Sequence, residues 1–193
     1  MSGKNNNLSK LLRFRKINGA RCECYNGHLF ILPEESGNHN RIIHSIIKSF
    51  NVAIPQSQSI FAAENVILET VENYFSSDVM LIQQSEGITT KTIARRPFLL
   101  AEVSSEFSSG RDRGYKLREY LKISSLQYYL LVSQYECYVE LYTKTDQEGV
   151  WTYQSFKKPD AIISFDLLDF TMPVSAVYEG IVFLDEEKPE FEI

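Results

Sequence analysis

The sequence predicts an α/β (α+β) domain, a mixed β-sheet flanked by helices. Three observations predict it. Ile42, Ile43, Ile46, Ile47 and Phe50 recur at helical spacing and form one apolar stripe. The run Phe98-Leu99-Leu100-Ala101-Glu102-Val103, introduced by Pro97 and closed by Ser104 and Ser105, reads as a buried strand. Leu126 to Val132 and Cys137 to Thr143 are rich in Tyr, Val and Leu, which suit a pleated, half-buried surface. Helix, strands, helix and further strands in that order place helices against a mixed sheet.

Taken along the chain, the Asn-rich start is expected to fray, and a short helix carrying Leu8, Leu11 and Leu12 follows. Arg21 to Leu32 reads as a hairpin with Asn26-Gly27 as its turn. Asn38 is a candidate cap for the amphipathic helix of the isoleucine stripe. After Pro55 come strands at Ser59 to Ala63, Val66 to Thr70 and Asp78 to Ile82, then the Glu102 strand. A helix from about Gly110 to Ile123 leads into the two Tyr-rich strands. Strands at Val150 to Phe156 and Ala161 to Ser164 precede a helix around Val174 to Glu179. The 193 residues fit one domain, residues 1–193, with 1–7 and 186–193 expected to be flexible.

Composition narrows the function. A 44% hydrophobic and 23% charged chain is that of an ordinary soluble protein. No run approaches the roughly 18 apolar residues of a membrane span, and no signal-peptide segment follows the N-terminus, so a cytoplasmic protein is expected. Cys22, Cys24 and Cys137 are odd in number and lack a second Cys/His cluster at zinc spacing, which makes them structural thiols. A net charge of −5 argues against a broad nucleic-acid surface but leaves room for a local basic one. No Walker-type phosphate loop, Gly-x-Ser-x-Gly elbow or spaced Cys/His nucleophile pair is present.

Glu102 is the residue that carries chemistry, because a carboxylate inside an apolar strand must gain a cation, a metal or a proton. Asp78 begins a neighbouring strand, and two acids presented from adjacent strands can hold one divalent cation, with the Val103 carbonyl as a further oxygen ligand. Magnesium suits such a hard, partly hydrated site. Lys116 lies at the margin of the inward helical stripe Leu117, Tyr120, Leu121 and Ser124, from which its ammonium can reach a cleft. Arg113 and Tyr120, three residues before and four after Lys116, share its side on regular helical spacing. A solvated charged helix would show the same spacing.

The run Glu102-Val103-Ser104-Ser105 followed by Arg111-Asp112-Arg113-Gly114-Tyr115-Lys116 and Tyr120 resembles the Uma-two family of restriction-endonuclease-like proteins, within the PD-(D/E)xK nuclease superfamily. Glu23 to Gly27 is similar to that family's early acidic hairpin, Ser36 and His39 to the opening of its first long helix, and Asp78 to Leu81 to its Pro-Asp strand. Gln127 to Leu131, and Asp169 to Tyr178, extend the similarity, which runs from about Glu23 to Tyr178.

The resemblance implies a restriction-endonuclease-like fold and magnesium-dependent hydrolysis of DNA phosphodiesters, with manganese able to substitute. It implies Asp78, Glu102 and Lys116 as catalytic residues, and Asp78, Glu102 and the Val103 carbonyl as metal ligands. Glu23 and His39 would orient water or support the ligands, beside Arg113 and Tyr120. DNA is the implied partner, and a homodimer would let two sites cut two strands. Ser77 stands where the family has Pro, Ser104 where the simpler signature has Lys, and Tyr129 where Trp is usual. A noncatalytic nucleic-acid- or protein-binding module that keeps the fold is the alternative.

Overall fold

The computed structural model describes residues 2–54, 60–63, 66–83, 93–105 and 108–183; the expected flexible stretch 186–193 lies outside the described residues. Helix α1 (Ser2–Asn18) includes the Asn-rich start instead of beginning after it. Leu11 is fully buried in a cluster with Cys22, Cys24, Ile67, Tyr74 and Ile93, and such packing carries helices whose own propensity is weak. Gly19 ends the helix at φ +66°, a conformation that costs glycine nothing.

Strands β1 (Cys22–Tyr25) and β2 (His28–Ile31) form the expected hairpin, with Asn26 and Gly27 both at positive φ in its two-residue turn. Helix α2 (Gly37–Ala53) follows, capped by Ser36 and not Asn38: the Ser36 hydroxyl accepts the His39 N–H at 3.1 Å. Ser36, two residues before Asn38, stands immediately before the helix, where its short side chain reaches the free amide three residues on. Ser36→Ala should therefore lower stability by about 1 kcal/mol, read as a shift of the urea midpoint with an unchanged slope.

Short strands β3 (Ile60–Ala63), β4 (Ile67–Glu69), β5 (Tyr74–Ser76), β6 (Val79–Gln83) and β7 (Ile93–Ala94) lead to the long β8 (Pro97–Ser104). A broken helical segment comes next: α3 (Ser109–Arg111), a π-helical turn (Asp112–Lys116) and α4 (Leu117–Tyr120). The chain continues through β9 (Tyr128–Ser133), β10 (Val139–Lys144), β11 (Trp151–Phe156), β12 (Ile162–Phe165), β13 (Phe170–Pro173) and α5 (Val174–Val177).

The mixed sheet predicted from sequence is six-stranded, in the order β11-β10-β9-β8-β6-β3. A second sheet, β2-β1-β5-β4-β7, was not expected as a separate layer; its strands are two to four residues long, too short to declare a partner by periodicity. The pair β12-β13 stands apart. In the large sheet β8 and β9 are parallel, a pairing that requires a crossover, and the broken helical segment supplies it.

Side-chain alternation sets the layers. Leu99, Ala101 and Val103 of β8 pack in one core with Ile42, Ile46 and Phe50 of α2 and Val174 and Val177 of α5. Leu100 points the other way, into a core with Leu68 and Phe75 of the five-stranded sheet and Tyr120 of α4. On the far side of that sheet Cys22, Cys24, Ile67 and Tyr74 meet α1. Period two thus turns Glu102 of β8 and Glu23 of β1 towards each other, across the gap between the sheets.

Candidate active site

Both glutamates are buried, Glu102 at 2% and Glu23 at 0% exposure. Between them lies the Lys116 ammonium, 3.0 Å from Glu23 Oε1, 3.3 Å from Glu102 Oε1 and 3.3 Å from Asp112 Oδ1. The sequence places Lys116 at the margin of a regular helix, but the structure buries it to 3% exposure. Gly114 is the cause: at φ −98°, ψ −107° it breaks the helix, and the Leu117 N–H bonds to the carbonyls of Asp112 and Gly114. The Tyr129 hydroxyl donates to the Asp112 carbonyl at 3.3 Å. The widened turn rotates Lys116 inward, a use of π geometry common at functional sites.

The same break removes Arg113 from the group. Regular spacing would put it beside Lys116; instead its guanidinium pairs with Glu140, Nε donating to Oε2 at 2.8 Å, with the Arg113 side chain 40% exposed. Tyr120, beyond the break, does reach the site and donates its hydroxyl to Glu102 Oε1 at 2.8 Å. Its ring packs edge-on to Phe75 and Tyr129, walling the carboxylate from water.

Asp78, immediately before β6, is held at both oxygens. Oδ1 accepts from Arg21 Nη2 at 2.7 Å, and Oδ2 accepts from the Val103 N–H at 2.9 Å with His39 Nε2 at 3.2 Å. The contact shown for Val103 is thus that of its amide. Ser77, where the resembling family has Pro, fixes the approach differently: its hydroxyl lies 3.0 Å from the Val79 carbonyl and 3.2 Å from that of Ala101. Ser104 points its hydroxyl at the Val132 carbonyl, 3.1 Å away, and stays out of the cluster. Glu23 accepts the Ser76 N–H at 3.2 Å and pairs with Arg111.

The electrostatics follow from crowding acids in a dry place. Burial pushes the Glu102 carboxyl well above its ordinary value; Lys116 opposes the rise, and Asp78, Asp112 and Glu23 add to it. Burial would also raise Asp78, but the hydrogen bond and charge of His39, with Arg21 and Lys116, outweigh it and hold Asp78 below the usual carboxylate range. His39 is raised: burial disfavours its charge, and Asp78 more than compensates. Lys116 is raised as well, burial being overcome by Glu102, Glu23 and Asp112. Asp112 is raised by burial, against Lys116 and the nearby Ser108 hydroxyl.

Sequence reasoning therefore named Asp78, Glu102, Lys116, Glu23, His39 and Tyr120, which the structure brings together, and missed Arg21, Arg111 and Asp112. Signals for two of these were present. Arg21 is two residues before Glu23 and so shares its side of the hairpin, and Asp112 is four before Lys116.

Asp78 and Arg21 line a cleft of about 420 Å³ with Glu34, Glu35 and Asn40. It adjoins a second hollow of about 640 Å³ formed by Glu35, Ser36, Ser105, Gln134 and Tyr135. A separate hollow of about 510 Å³, lined by Glu69, Asn73, Arg95 and Glu119, touches none of the clustered groups. Among the described residues no three His, Cys, Asp or Glu side chains are arranged as a ready-made metal cage. Magnesium needs none, since one or two carboxylates, waters and substrate phosphates complete its shell. The excess of buried carboxylates, Glu23, Asp78, Glu102 and Asp112, fits a cation of that kind.

A sequence model of the Uma2 family, described as "putative restriction endonuclease", matches residues 8–175. The uncharacterized protein sll1609 of Synechocystis sp. is 30% identical over 153 residues, covering 77% of this chain and 85% of that protein. A second Synechocystis protein, slr1290, also described as uncharacterized, is 25% identical over 163 residues, 83% of this chain and 85% of its own length. The crystal structure of a protein from Anabaena variabilis, described as a putative nuclease belonging to DUF820, superposes with a TM-score of 0.73. That likeness covers 89% of this chain and 98% of the other at 16% identity, and it shows a shared fold. No described helix is long and apolar enough to cross a membrane.

Proposed function

Since the chain belongs to the Uma2 family, whose description is that of a restriction endonuclease, we propose that it hydrolyses DNA phosphodiesters with magnesium as cofactor, Asp78, Glu102 and Lys116 forming the catalytic set. The observation that supports this most is the Lys116 ammonium 3.3 Å from Glu102, in a cluster that reaches a cleft through Asp78. Asp78 and Glu102, with the Val103 carbonyl, would hold the metal. Bound there, magnesium would supply Lewis acidity, lowering the pKa of a coordinated water and offsetting charge on the phosphoryl oxygens.

The protein's own groups have separable tasks. Lys116, raised by its three carboxylate neighbours, keeps its proton; it acts as a fixed positive charge and donor toward a water or phosphoryl oxygen, and not as a base. Tyr120 and Lys116 both hold the Glu102 carboxylate at Oε1. Arg21, His39 and the Val103 amide fix Asp78, and Arg111 with the Ser76 amide fixes Glu23. Positioning of this sort is what holds reacting groups within reach of one another. Cutting both strands of a duplex calls for two such sites, and a homodimer is part of the proposal.

The test is cleavage of supercoiled plasmid and of single-stranded DNA by the full chain with magnesium or manganese, beside an EDTA-treated sample. Nicked or linear plasmid that appears only with metal supports the proposal. Intact DNA on both substrates, with the protein folded and the metal in excess, overturns it and leaves a binding module. Sedimentation of the free and DNA-bound chain checks the dimer.

A further inference from the structure

Strand β11 ends the six-stranded sheet: β10 pairs along its whole length, and among the described residues no strand pairs on its other side. The direction of its main-chain groups follows from one bond. The Thr145 N–H bonds to the Val150 carbonyl, so Thr152, Gln154 and Phe156, which keep the same register, also turn their N–H and C=O groups to β10. Trp151, Tyr153 and Ser155 turn theirs outward. Thr152, Tyr153, Gln154 and Ser155 are exposed.

Such an edge is a template for further pairing, and proteins blunt it with charges, proline, bulges or short length. β11 uses none of these. It has six residues, no Asp, Glu, Lys, Arg or Pro, and an unbroken register with β10. Charges stand only at its two ends, all of them exposed: Asp146 and Glu148 before it, Lys157 and Lys158 after it.

We propose that β11 is the surface on which two copies of this chain join, edge to edge about a two-fold axis, into one continuous sheet. This gives the homodimer of the nuclease reading a surface, and it rests on that reading only for its use in cutting two strands. The axis must run normal to the sheet, which keeps every residue on its own face and makes the pairing antiparallel. Centred on Tyr153, the register engages all three outward residues: Trp151 opposes Ser155 of the second copy, Thr152 opposes Gln154, and Tyr153 opposes its own copy. No charged group enters that pairing. A register centred one residue later would set Trp151 against Lys157, beyond the strand. The antiparallel sense also lays the acidic approach of one copy beside the basic exit of the other, Glu148 towards Lys158, which like-charged ends would oppose. Tyr153 ends a row of rings, 5.2 Å from Tyr142, which is 6.1 Å from Tyr129, and pairing carries that row across the axis.

The test uses the full chain without DNA, in sedimentation equilibrium at about 1 to 100 µM, the range that suits a small interface. The expected mass rises with concentration towards twice that of one chain. Ser155→Pro is expected to keep the mass of one chain throughout, with its melting temperature nearly unchanged, since the Ser155 N–H faces away from β10 and proline is tolerated on an edge. If that variant melts early, Ser155→Lys replaces it, because lysine on an edge also opposes pairing. Mild oxidation reads the register, with the wild type and its half-buried Cys137 as reference. Tyr153→Cys should give a disulfide-linked dimer, its two Cα atoms being about 5.5 Å apart in a hydrogen-bonded pair. Gln154→Cys should not, because its copies lie two residues out of line, about 8 Å apart and beyond a disulfide's span. A wild type that stays a single chain at every concentration overturns the inference, as does a dimer that persists in the folded Ser155 variant. Equal cross-linking of the two cysteine variants overturns it too. Plasmid cleavage decides the nuclease reading separately: a single chain that cuts sinks only the dimer, and a dimer that leaves DNA intact sinks only the nuclease.

Discussion

Glu102→Gln is expected to abolish metal-dependent DNA cleavage, by about 10³-fold or more, while leaving the fold nearly as stable as before. The two halves of that expectation have different physical sources. The amide keeps the shape that Tyr120 and Lys116 grip, so packing between the sheets is unchanged. It also removes one of the carboxylates that crowd the site, an excess already expressed in the raised Glu102 and Asp112 carboxyls. Lys116 loses one neighbour and retains Glu23 and Asp112. The net change in unfolding free energy should therefore lie within about 1 kcal/mol. An amide, however, is a poor ligand for a hard cation and brings no negative charge. Initial rates on supercoiled plasmid, set beside urea melts, read both halves. A variant that cuts at the wild-type rate would remove Glu102 from the chemistry, and one that unfolds would make its role structural.

Lys116→Met should show the opposite balance and damage the fold as well as the activity. Glu102 and Asp112 would lose their shared cation at buried positions, and Glu23 would keep Arg111 and the Ser76 amide. Breaking one side of a buried ionic group costs about 3–5 kcal/mol. The loss should depend on pH with a definite sign. Glu102 and Asp112 have folded-state values above their ordinary ones, and the variant takes away the charge that limits the rise. A group raised in the folded state contributes its stability below the unfolded value and loses it as pH rises through the folded one. The variant should thus be closest to wild type near about pH 5 and furthest from it near about pH 8. Urea titrations at the two pH values check this; an equal deficit at both would mean that the acids are not what the lysine compensates.

Much of the candidate site is legible from local sequence, and the reasons are specific. An acid within Phe98 to Val103 could not escape burial, and the alternation of Cys22, Glu23 and Cys24 already set one acid opposite two apolar thiols. The Asn26-Gly27 turn required the positive φ values that it has. What stayed hidden depends on geometry that no short pattern encodes. Gly114 is compatible with an ordinary helix in sequence, yet its ψ of −107° decides that Lys116 turns in and Arg113 turns out. The second sheet is hidden for a related reason. Strands as short as Tyr74–Ser76 and Ile93–Ala94 are defined by their neighbours, which are remote in the chain. Arg21 becomes a partner of Asp78 only when that sheet docks, although 57 positions separate them.

The gap between the two sheets has a consequence for when the protein can act. Arg21 and Glu23 come from the hairpin, His39 from α2, Asp78 from the start of β6, Glu102 from β8, and Asp112 and Lys116 from the crossover. No two of these segments overlap, and contacts between such distant stretches form late, after the entropy of closing the intervening loops has been met. Without the docked hairpin the cluster lacks Arg21 and Glu23, the partners of Asp78 and Lys116. The buried cluster is therefore a sensor of its own completion. On the proposed nuclease reading, a chain whose hairpin has come away would lose its site before it loses its large sheet.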